Sequence, residues 1–378
     1  MHRILFLNRD YRAFLAWLYR RQPSLALASY RTQLAARDAS LFGTADFMSR
    51  RLGELGHQAL DVHANNRPLQ EAWMAEQGKG GGAWGWRAAC LVARGKVLRH
   101  LVDIDPADPR FAEILATEIK AFRPTILYNH DPSGIPAEML KAAMPRDCAL
   151  VAQLAAPREK GTDWSAYNLV ISSLPNFVAE FRREGLTAEY LPLAFEPRVL
   201  AQIPDTARDI PLSFVGSISP AHRERLDFLE AVAARVPLGI WGDGVRLLSP
   251  QSPLRPGHHG AVWGSEMFGV LRRSRLTLNK HVDVSANYAN NMRLFEATGM
   301  GACLVTDWKD NLGELFEPGK EVLAYRSLEE SIDLLRHYQA RDRERETIAA
   351  AGHARCLKDH SYERRMTELA ALLTRHFG

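Results

Sequence analysis

Apolar and polar positions along this chain follow two alternating periods. Short apolar runs typical of buried strands begin with ILFL near the amino terminus, and stretches with helical spacing, such as PRFAEILATEIKAF, lie between them. Strands that alternate with helices in this way predict βαβ units and a parallel sheet. Strands are therefore predicted at residues 3–8, 58–65, 125–131, 148–155, 167–173 and 188–195.

The same alternation begins again after residues 196–209, a segment of mixed polarity that contains two prolines. Further strands are predicted at residues 210–218, 238–244, 275–281 and 302–307, with helices between them. We therefore place a domain boundary in this segment. The predicted fold class is α/β, with domains at residues 1–197 and 198–360 and a helical tail at residues 361–378.

Three local features complete the predicted elements. Residues 44–57 are predicted as a helix with Thr44 as its N-cap, and residues 24–39 as one helical stretch. The glycine-rich segment at residues 78–86 predicts a break. The Pro/Gly-rich segment at residues 249–260 predicts a loop, in which the two adjacent histidines are not expected to bind a ligand.

Composition narrows the functional classes. The 378 residues are 46% hydrophobic and 24% charged, with a net charge of +4. This weak positive charge disfavours nucleic-acid binding and leaves anionic substrates or peripheral membrane contact open. Four scattered cysteines without a CxxC pair predict neither a disulfide framework nor a zinc site. No signal peptide or membrane span is predicted, so a cytoplasmic location is expected.

Polar residues gather where the predicted strands end. Parallel sheets bind ligands beyond the carboxyl ends of their strands, and two facing domains would form a cleft there. His130 and Asp131 form either an acid–base pair or part of a plain turn. The residues at these strand ends are Asn129, His130, Asp131, Gly216, Ser217, Asp243, Asn279, Lys280 and His281.

The segment FVGSISPAHRERL places a glycine and small polar residues between a strand and a helix. Backbone N–H groups of such a loop can approach an anion at the helix N-terminus. Arg223 and Arg225 would add phosphate contacts. The alternative is an ordinary tight turn with surface arginines, since this segment is neither a Walker loop nor GxGxxG. The sequence also lacks the HExxH and GxSxG motifs of metalloproteases and serine hydrolases.

A longer stretch resembles a known family. LTLNKH, NNMRLFEATGMGACLVTDWKDNLGELFEPGKEVLAYRSLEE and ERETIAAAGHARCLKDHSYERRM, from Arg275 to Met366, resemble the carboxyl-terminal signature of CgeB-like glycosyltransferases. This group belongs to the GT-B class and is related to family 4, the group 1 glycosyl transferases. The resemblance implies two Rossmann-like domains with a cleft between them, the first for the acceptor and the second for the nucleotide-sugar donor. It also implies that the helix at residues 361–378 crosses back onto the first domain.

The resemblance implies a role for Glu296 in LFEA, which would accept hydrogen bonds from the ribose hydroxyls of the donor. A carboxylate offers two oxygens to two neighbouring hydroxyls. Asn290 and Asn291 would present backbone amides to the diphosphate at a helix N-terminus. Trp241 and Gly242 in IWGDG would lie against the nucleobase.

Three positions depart from the pattern of retaining family 4 enzymes. Tyr288 stands where a first glutamate is usual, Ser217 where an arginine follows the loop glycine, and Arg223 where a lysine is usual. Other groups must then bind the sugar and part of the diphosphate. The candidates are Asn279, Lys280, His281 and Arg293.

The resemblance implies transfer of a sugar from a nucleoside diphosphate, with UDP favoured, to a hydroxyl acceptor of unidentified kind. A retaining, metal-independent reaction without cofactor is expected, in which cationic side chains and helix N-termini stabilise the departing diphosphate. His130, Asp131, Lys280 and His281 are the catalytic candidates. An inverting reaction would need a base, either His130 or Asp131. The alternative is a nucleotide- or sugar-binding protein without turnover.

Overall fold

The computed structural model describes residues 1–79, 84–218, 222–282 and 286–378. The chain packs as two compact units. The first comprises Met1–Ser172, Phe177–Tyr190 and Met366–Gly378, and the second comprises Ser173–Asn176 and Leu191–Arg365.

The first unit is built on a six-stranded parallel sheet in the order β2-β1-β3-β4-β5-β6. Its strands are β1 (Arg3–Asn8), β2 (Gln58–His63), β3 (Ile126–Asn129), β4 (Ala149–Leu154), β5 (Leu169–Ser172) and β6 (Ala188–Tyr190). The helices along this part of the chain are α1 (Arg12–Arg21), α2 (Tyr30–Ala39), α3 (Phe47–Glu54), α4 (Arg67–Glu76), α5 (Trp84–Val92), α6 (Gly95–Leu101), α7 (Pro109–Phe122), α8 (Ala137–Lys141) and α9 (Pro175–Arg183).

The second unit holds another six-stranded parallel sheet, in the order β12-β11-β10-β7-β8-β9. Its strands are β7 (Ile210–Val215), β8 (Gly239–Trp241), β9 (His258–Gly260), β10 (Ser274–Leu278), β11 (Cys303–Asp307) and β12 (Leu323–Tyr325). Its helices are α10 (Arg198–Gln202), α11 (Arg223–Ala233), α12 (Ser265–Arg273), α13 (Met292–Gly299), α14 (Leu312–Leu315), α15 (Leu328–Gln339) and α16 (Asp342–Asp359), and the chain ends with α17 (Tyr362–Phe377).

Each sheet reverses its strand order at one point. In the first unit β2 lies on one side of β1 and β3 lies on the other. In the second unit β8 lies on one side of β7 and β10 lies on the other. The connections leave β1 and β3, or β7 and β10, in opposite directions, which opens a crevice at their carboxyl ends. The topology therefore gives each unit one preferred place for a ligand.

The cores explain why the strands read as continuous apolar runs. All four residues of β3 are buried, as are all five of β11. In the second unit, Leu212, Ile240 and Leu276 belong to one cluster with side chains of α11 and α15. Strands of a parallel sheet covered on both faces have no solvent side, so apolar residues do not alternate with polar ones.

The structure differs locally from the predicted elements. Thr44 is not an N-cap, because α3 begins at Phe47 with Asp46 in the cap position. The stretch at residues 24–39 is split into a 3₁₀ turn and α2, since the Ser29 side chain accepts from Thr32 N and starts a new helix. The predicted loop at residues 249–260 contains β9. Part of the predicted glycine-rich break, residues 80–83, lies outside the described residues.

Helix α4 was not predicted from the sequence, although residues that mark its start are present. The Asn66 side chain accepts from Leu69 N, and Pro68 occupies the first turn, where its missing N–H costs nothing. The division between the units falls at Tyr190 and Leu191, slightly before the predicted junction. Helix α17 begins in the second unit and ends in the first, where His376 Nε2 lies 2.9 Å from a Glu189 oxygen.

None of the helices in the described ranges combines the length and apolar character needed to cross a bilayer. All four cysteines are buried as free thiols.

Two helical glycines provide a test of the packing of the second unit. A Cβ at Gly352 in α16 would lie 2.2 Å from the Glu321 carbonyl oxygen, whereas a Cβ at Gly269 in α12 would meet no atom within 4 Å. We expect Gly352→Ala to lower the free energy of unfolding by about 1–3 kcal/mol, because backbone must shift to admit the methyl group. Gly269→Ala should raise it by about 0.5–1 kcal/mol through helix propensity.

Denaturant unfolding of both variants measures this difference. Equal effects of the two alanines would contradict the close approach of α16 to the Glu321 backbone.

Candidate functional site

Arg293 and Glu296 lie at the strand-order reversal of the second sheet. Arg293 Nη1 donates to Glu296 Oε2 at 2.7 Å, one helical turn along α13. Arg293 Nε donates to the carbonyl of Val215, the last residue of β7, at 3.1 Å. The guanidinium therefore joins the start of α13 to the carboxyl end of β7 and fixes the glutamate beside that end.

Glu296 is buried, with 6% of its surface exposed. Burial raises the pKa of its carboxyl above the usual range, and the charge of Arg293 opposes that rise. Only Oε2 is occupied by the arginine, so the carboxylate keeps acceptor capacity on Oε1. A buried carboxylate held in one orientation by a cation can accept hydrogen bonds from the hydroxyl groups of a ligand.

Two asparagines connect α13 to the carboxyl end of β10. Asn291 is the N-cap of α13, where its side-chain oxygen accepts from Leu294 N at 3.1 Å, and its Nδ2 donates to Asn279 Oδ1 at 2.7 Å. Asn279 Nδ2 in turn donates to Thr306 Oγ1 at 2.9 Å. Asn290 precedes the cap. This chain orients the N-terminus of α13 toward the crevice between β7 and β10.

Asp307, at the end of β11, gathers the charged residues that follow β10. His281 contacts its Oδ1 through both Nδ1, at 2.7 Å, and its backbone N–H, at 3.0 Å, and Lys280 Nζ lies 3.6 Å from Oδ2. Burial alone would raise the pKa of Asp307, but the hydrogen bonds and charge of His281, with Lys280, hold it well below its usual range. Lys280 and His281 are thus fixed by a permanent anion.

The backbones after β7 and β8 run closely side by side. A Cβ at Gly242 would lie 1.9 Å from the Gly216 carbonyl oxygen, so only glycine fits there. Gly216 N donates to the Trp241 carbonyl at 2.9 Å. The Ser217 carbonyl accepts from Arg225 Nη2 at 2.7 Å. Arg225 therefore binds the backbone after β7. The sequence had suggested that this arginine contacts phosphate instead.

Of the side chains predicted for the donor site, Trp241 turns away from the carboxyl ends of the strands and Arg223 is exposed. The Trp241 ring reaches back over Gly239, where a Cβ would lie 2.7 Å from it, and stacks on His259 at 4.4 Å. Its ring thus points toward the amino end of β8, while the backbone of Gly242 stays at the carboxyl end. Arg223 is exposed at the start of α11. Residues 219–221 of the predicted anion-binding loop lie outside the described residues.

In the first unit, His130 lies at the strand-order reversal between β1 and β3. Its Nδ1 is 2.6 Å from Asn8 Oδ1, and Asn8 Nδ2 donates to Asp61 Oδ1 at 3.0 Å. An ionised Asp61 can only accept, which directs the Asn8 amide nitrogen to it and the amide oxygen to His130. His130 is then the Nδ1–H tautomer. No hydrogen-bond partner for Nε2 is found among the described residues.

Asp131 does not pair with His130. Its Oδ2 accepts from Arg9 Nη1 at 2.7 Å and its Oδ1 from Gly134 N at 2.9 Å. The aspartate therefore closes a turn and neutralises an arginine, and the two catalytic candidates of this unit have separate partners. His130 keeps a nitrogen lone pair, while both oxygens of Asp131 are engaged.

Four residues of these sites were missed by the sequence analysis. Asp307 ends a predicted strand, so the rule that singled out Asn279 would have found it. Asn8 ends the first predicted strand and meets the same rule. Asp61 and Arg9 give no such signal, because their roles depend on neighbours distant in sequence.

Part of the chain matches a known protein family. Residues 223–371 match a family described as glycosyl transferase-like. No curated protein matches the sequence.

Solved structures with the same fold include three full-length matches. HepE of Anabaena, solved in complex with UDP-glucose, has a TM-score of 0.61 at 12% identity, covering 99% of this chain and 100% of that one. A glycosyltransferase from Rickettsia africae ESF-5 has 0.59 at 10% identity, covering 99% and 98%. Sucrose-phosphate synthase of Thermosynechococcus elongatus has 0.58 at 12% identity, covering 99% of both. The predicted two-domain GT-B fold is confirmed.

The contacts of His130 predict that its ring is the Nδ1–H tautomer, which can be measured. We expect ¹⁵N NMR at neutral pH to show a protonated Nδ1 and an unprotonated Nε2. Burial lowers the pKa of His130 to about 4, so the ring should stay neutral well below the usual value of about 6.5. Asp61→Asn, whose amide can donate as well as accept, should allow Asn8 to turn over and give a mixture of tautomers.

A protonated Nε2 in the unaltered protein, or a titration midpoint near 6.5, would contradict this arrangement.

Proposed function

We propose that this chain is a glycosyltransferase that transfers a sugar from a nucleoside diphosphate to a hydroxyl acceptor, a proposal supported by the family match of residues 223–371 and by the fold. UDP is the favoured nucleotide. The second unit binds the donor at the carboxyl ends of β7 and β10, and the first unit receives the acceptor at the carboxyl ends of β1 and β3. The observation that carries the proposal is the buried Glu296, held by Arg293 beside the end of β7.

Glu296 binds the ribose of the donor. Its carboxylate is buried and oriented before any ligand arrives, so little reorganisation is needed on binding. A vicinal diol supplies two donors to this acceptor, and the bonds are charge-assisted. Arg293 positions the carboxylate, and its charge opposes the rise in the pKa of Glu296 that burial causes.

The diphosphate binds to the loop after β7 and to the N-terminus of α13. Gly216 allows a close approach of backbone there, and the N–H groups at a helix N-terminus favour an anion. Lys280 and Arg223 supply positive charge as the sugar bond breaks and negative charge grows on the departing phosphate. Gly242 offers backbone to the nucleobase, a role that the backward orientation of the Trp241 ring favours over ring stacking.

A retaining, metal-independent reaction is proposed. In that case the departing phosphate oxygen accepts the proton of the acceptor hydroxyl, and His130 Nε2 accepts a hydrogen bond from a hydroxyl of the sugar or the acceptor. In an inverting reaction His130 would itself take the proton. Its Nε2 is buried and has no hydrogen-bond partner in the part of the chain that the structure describes, whereas both oxygens of Asp131 are engaged, which favours His130 as the base.

A second candidate function is nucleotide-sugar binding without turnover. Tyr288 favours it, because a tyrosine stands where retaining relatives have a sugar-binding glutamate. Asn279 and His281, both buried near Asp307, are the groups that would replace that glutamate in an active enzyme.

The ribose role of Glu296 predicts a specific pattern of affinities. We expect Glu296→Gln to weaken UDP binding about ten- to a hundredfold, because a charge-assisted bond is replaced by a neutral one. Removing the hydroxyls of the ligand, with 2′,3′-dideoxy-UDP, should weaken binding to the unaltered protein similarly. The variant should distinguish UDP from its dideoxy form much less than the unaltered protein does, because only a neutral hydrogen bond to the ribose remains. Calorimetry measures all four affinities.

Glu314→Gln, an exposed change in the same unit, serves as the control and should bind UDP normally. If Glu296→Gln still distinguishes UDP from its dideoxy form as strongly as the unaltered protein does, Glu296 does not bind the ribose.

Catalysis predicts turnover of a labelled nucleotide sugar. We expect sugar release or transfer that persists in EDTA, with an anomeric configuration in the product equal to that of the donor. Product analysis by NMR reads the configuration. Tight UDP-sugar binding without turnover would support the second candidate function, and loss of turnover in EDTA would refute metal independence.

A further inference from the structure

A cavity of about 340 Å³ opens in the second unit at the carboxyl ends of three neighbouring strands. It lies at β10, β11 and β12, on the far side of β10 from the β7 crevice. Its lining combines residues that follow these strands with an aromatic side chain of α11 and the start of α15. The charged and aromatic residues of the lining include Phe228, Lys280, Asp307, Trp308, Lys309 and Arg326.

Positive charge exceeds negative charge in this cavity. Lys280, Lys309 and Arg326 line it, against the single carboxylate of Asp307. The two ammonium groups lie 3.6 Å and 3.5 Å from the same Asp307 oxygen. The other oxygen of Asp307 is occupied by His281. One carboxylate therefore serves two lysines, and the cavity keeps an excess of positive charge.

Arg326 is held in place without using its hydrogen-bonding edge. Its guanidinium carbon lies 3.7 Å from the centroid of the Trp308 ring, a stacked cation–π contact. Among the described residues, no hydrogen bond or ion pair engages the guanidinium; the nearby Glu330 accepts from the Arg326 backbone N–H instead. Stacking leaves the planar fork of donors available at low entropic cost.

Lys280 and Lys309 are restrained as well. Lys280 Nζ lies over the Phe228 ring at 5.6 Å, and the Lys309 side chain is 11% exposed. Three cations are thus fixed around one small space before any ligand binds. Preorganised cations favour an anion because they have little side-chain entropy left to lose.

We propose that this cavity is a binding site for a phosphate group. A tetrahedral oxyanion can accept two bonds from the fork of Arg326 and one from each ammonium group, and it balances the excess charge that Asp307 leaves. The N-terminus of α15, which begins at Leu328 on the cavity wall, adds a favourable dipole. The site goes beyond the proposed ribose contact of Glu296, and it shares Lys280 with the proposed contacts to the donor diphosphate.

Two sources could deliver this phosphate. Lys280 directly follows Asn279, so the group could belong to the diphosphate of the donor. It could instead be carried by a phosphorylated acceptor or another phosphate-bearing molecule. The chemistry of recognition is the same, and competition between ligands separates the two sources.

The test uses the full chain and inorganic pyrophosphate as the probe. Calorimetry measures its affinity for the unaltered protein and for Arg326→Gln and Lys309→Gln, with thermal unfolding to confirm the fold. We expect each variant to bind pyrophosphate about tenfold more weakly, the loss of one charge-assisted contact. Lys320→Gln removes the same charge from an exposed lysine that pairs with Glu317 and should bind normally.

Competition with UDP then assigns the source. If UDP displaces pyrophosphate and the two variants also lose UDP affinity, the cavity takes the donor diphosphate. If both ligands bind together, and Glu296→Gln weakens UDP while sparing pyrophosphate, the cavity takes a separate phosphate. The proposal is overturned if folded Arg326→Gln and Lys309→Gln bind pyrophosphate as the unaltered protein does, or if that protein binds none.

Discussion

The contact of Arg293 with both Glu296 and the Val215 carbonyl is the constraint on which the second unit's site depends. A buried carboxylate without a partner would become protonated, and a buried guanidinium without acceptors would be costly. Joined together and anchored to the end of β7, the two charges stabilise each other. The pair also fixes the distance between α13 and β7. The same interaction therefore opposes the rise that burial causes in the pKa of Glu296 and sets the position of the crevice wall.

Asp307 is a second buried acid of this sheet, at the carboxyl end of β11, the neighbour of β10. Its carboxylate is buried among cations, and their effect on its pKa exceeds the cost of burial. An anion that accepts from His281 and lies near two lysines cannot neutralise all of them. The two acids of this sheet edge thus differ in kind. Glu296 pairs with one arginine, so the two charges balance. Asp307 lies near two lysines, so their positive charge exceeds its negative charge, and the excess is available to a ligand.

The strands and the class of fold were predictable because both sheets are parallel and buried on both faces. Each strand is then a continuous apolar run, and β1, β3 and β11 lie where the pattern places them. Strand ends were equally predictable, which is why His130 and Asn279 could be named, whereas Glu296, inside α13, was named from the family resemblance. Helix α4 and strands β9 and β12 were missed, since α4 was not signalled by a long apolar stripe, β9 consists of His-His-Gly and β12 has only three residues.

Side-chain direction and pairing were beyond the sequence. Nothing local indicates that Asp131 turns to Arg9, that Trp241 folds back over Gly239, or that Asn8 links His130 to Asp61. These contacts depend on strands that are neighbours in the sheet and distant along the chain. The resulting chemistry differs between the units. At its strand-order reversal the first sheet presents a neutral imidazole fixed in one tautomer, and the second presents a buried ion pair. One topological rule thus places both groups, and the residues that each sheet brings to its reversal point determine whether an imidazole or an ion pair lies there.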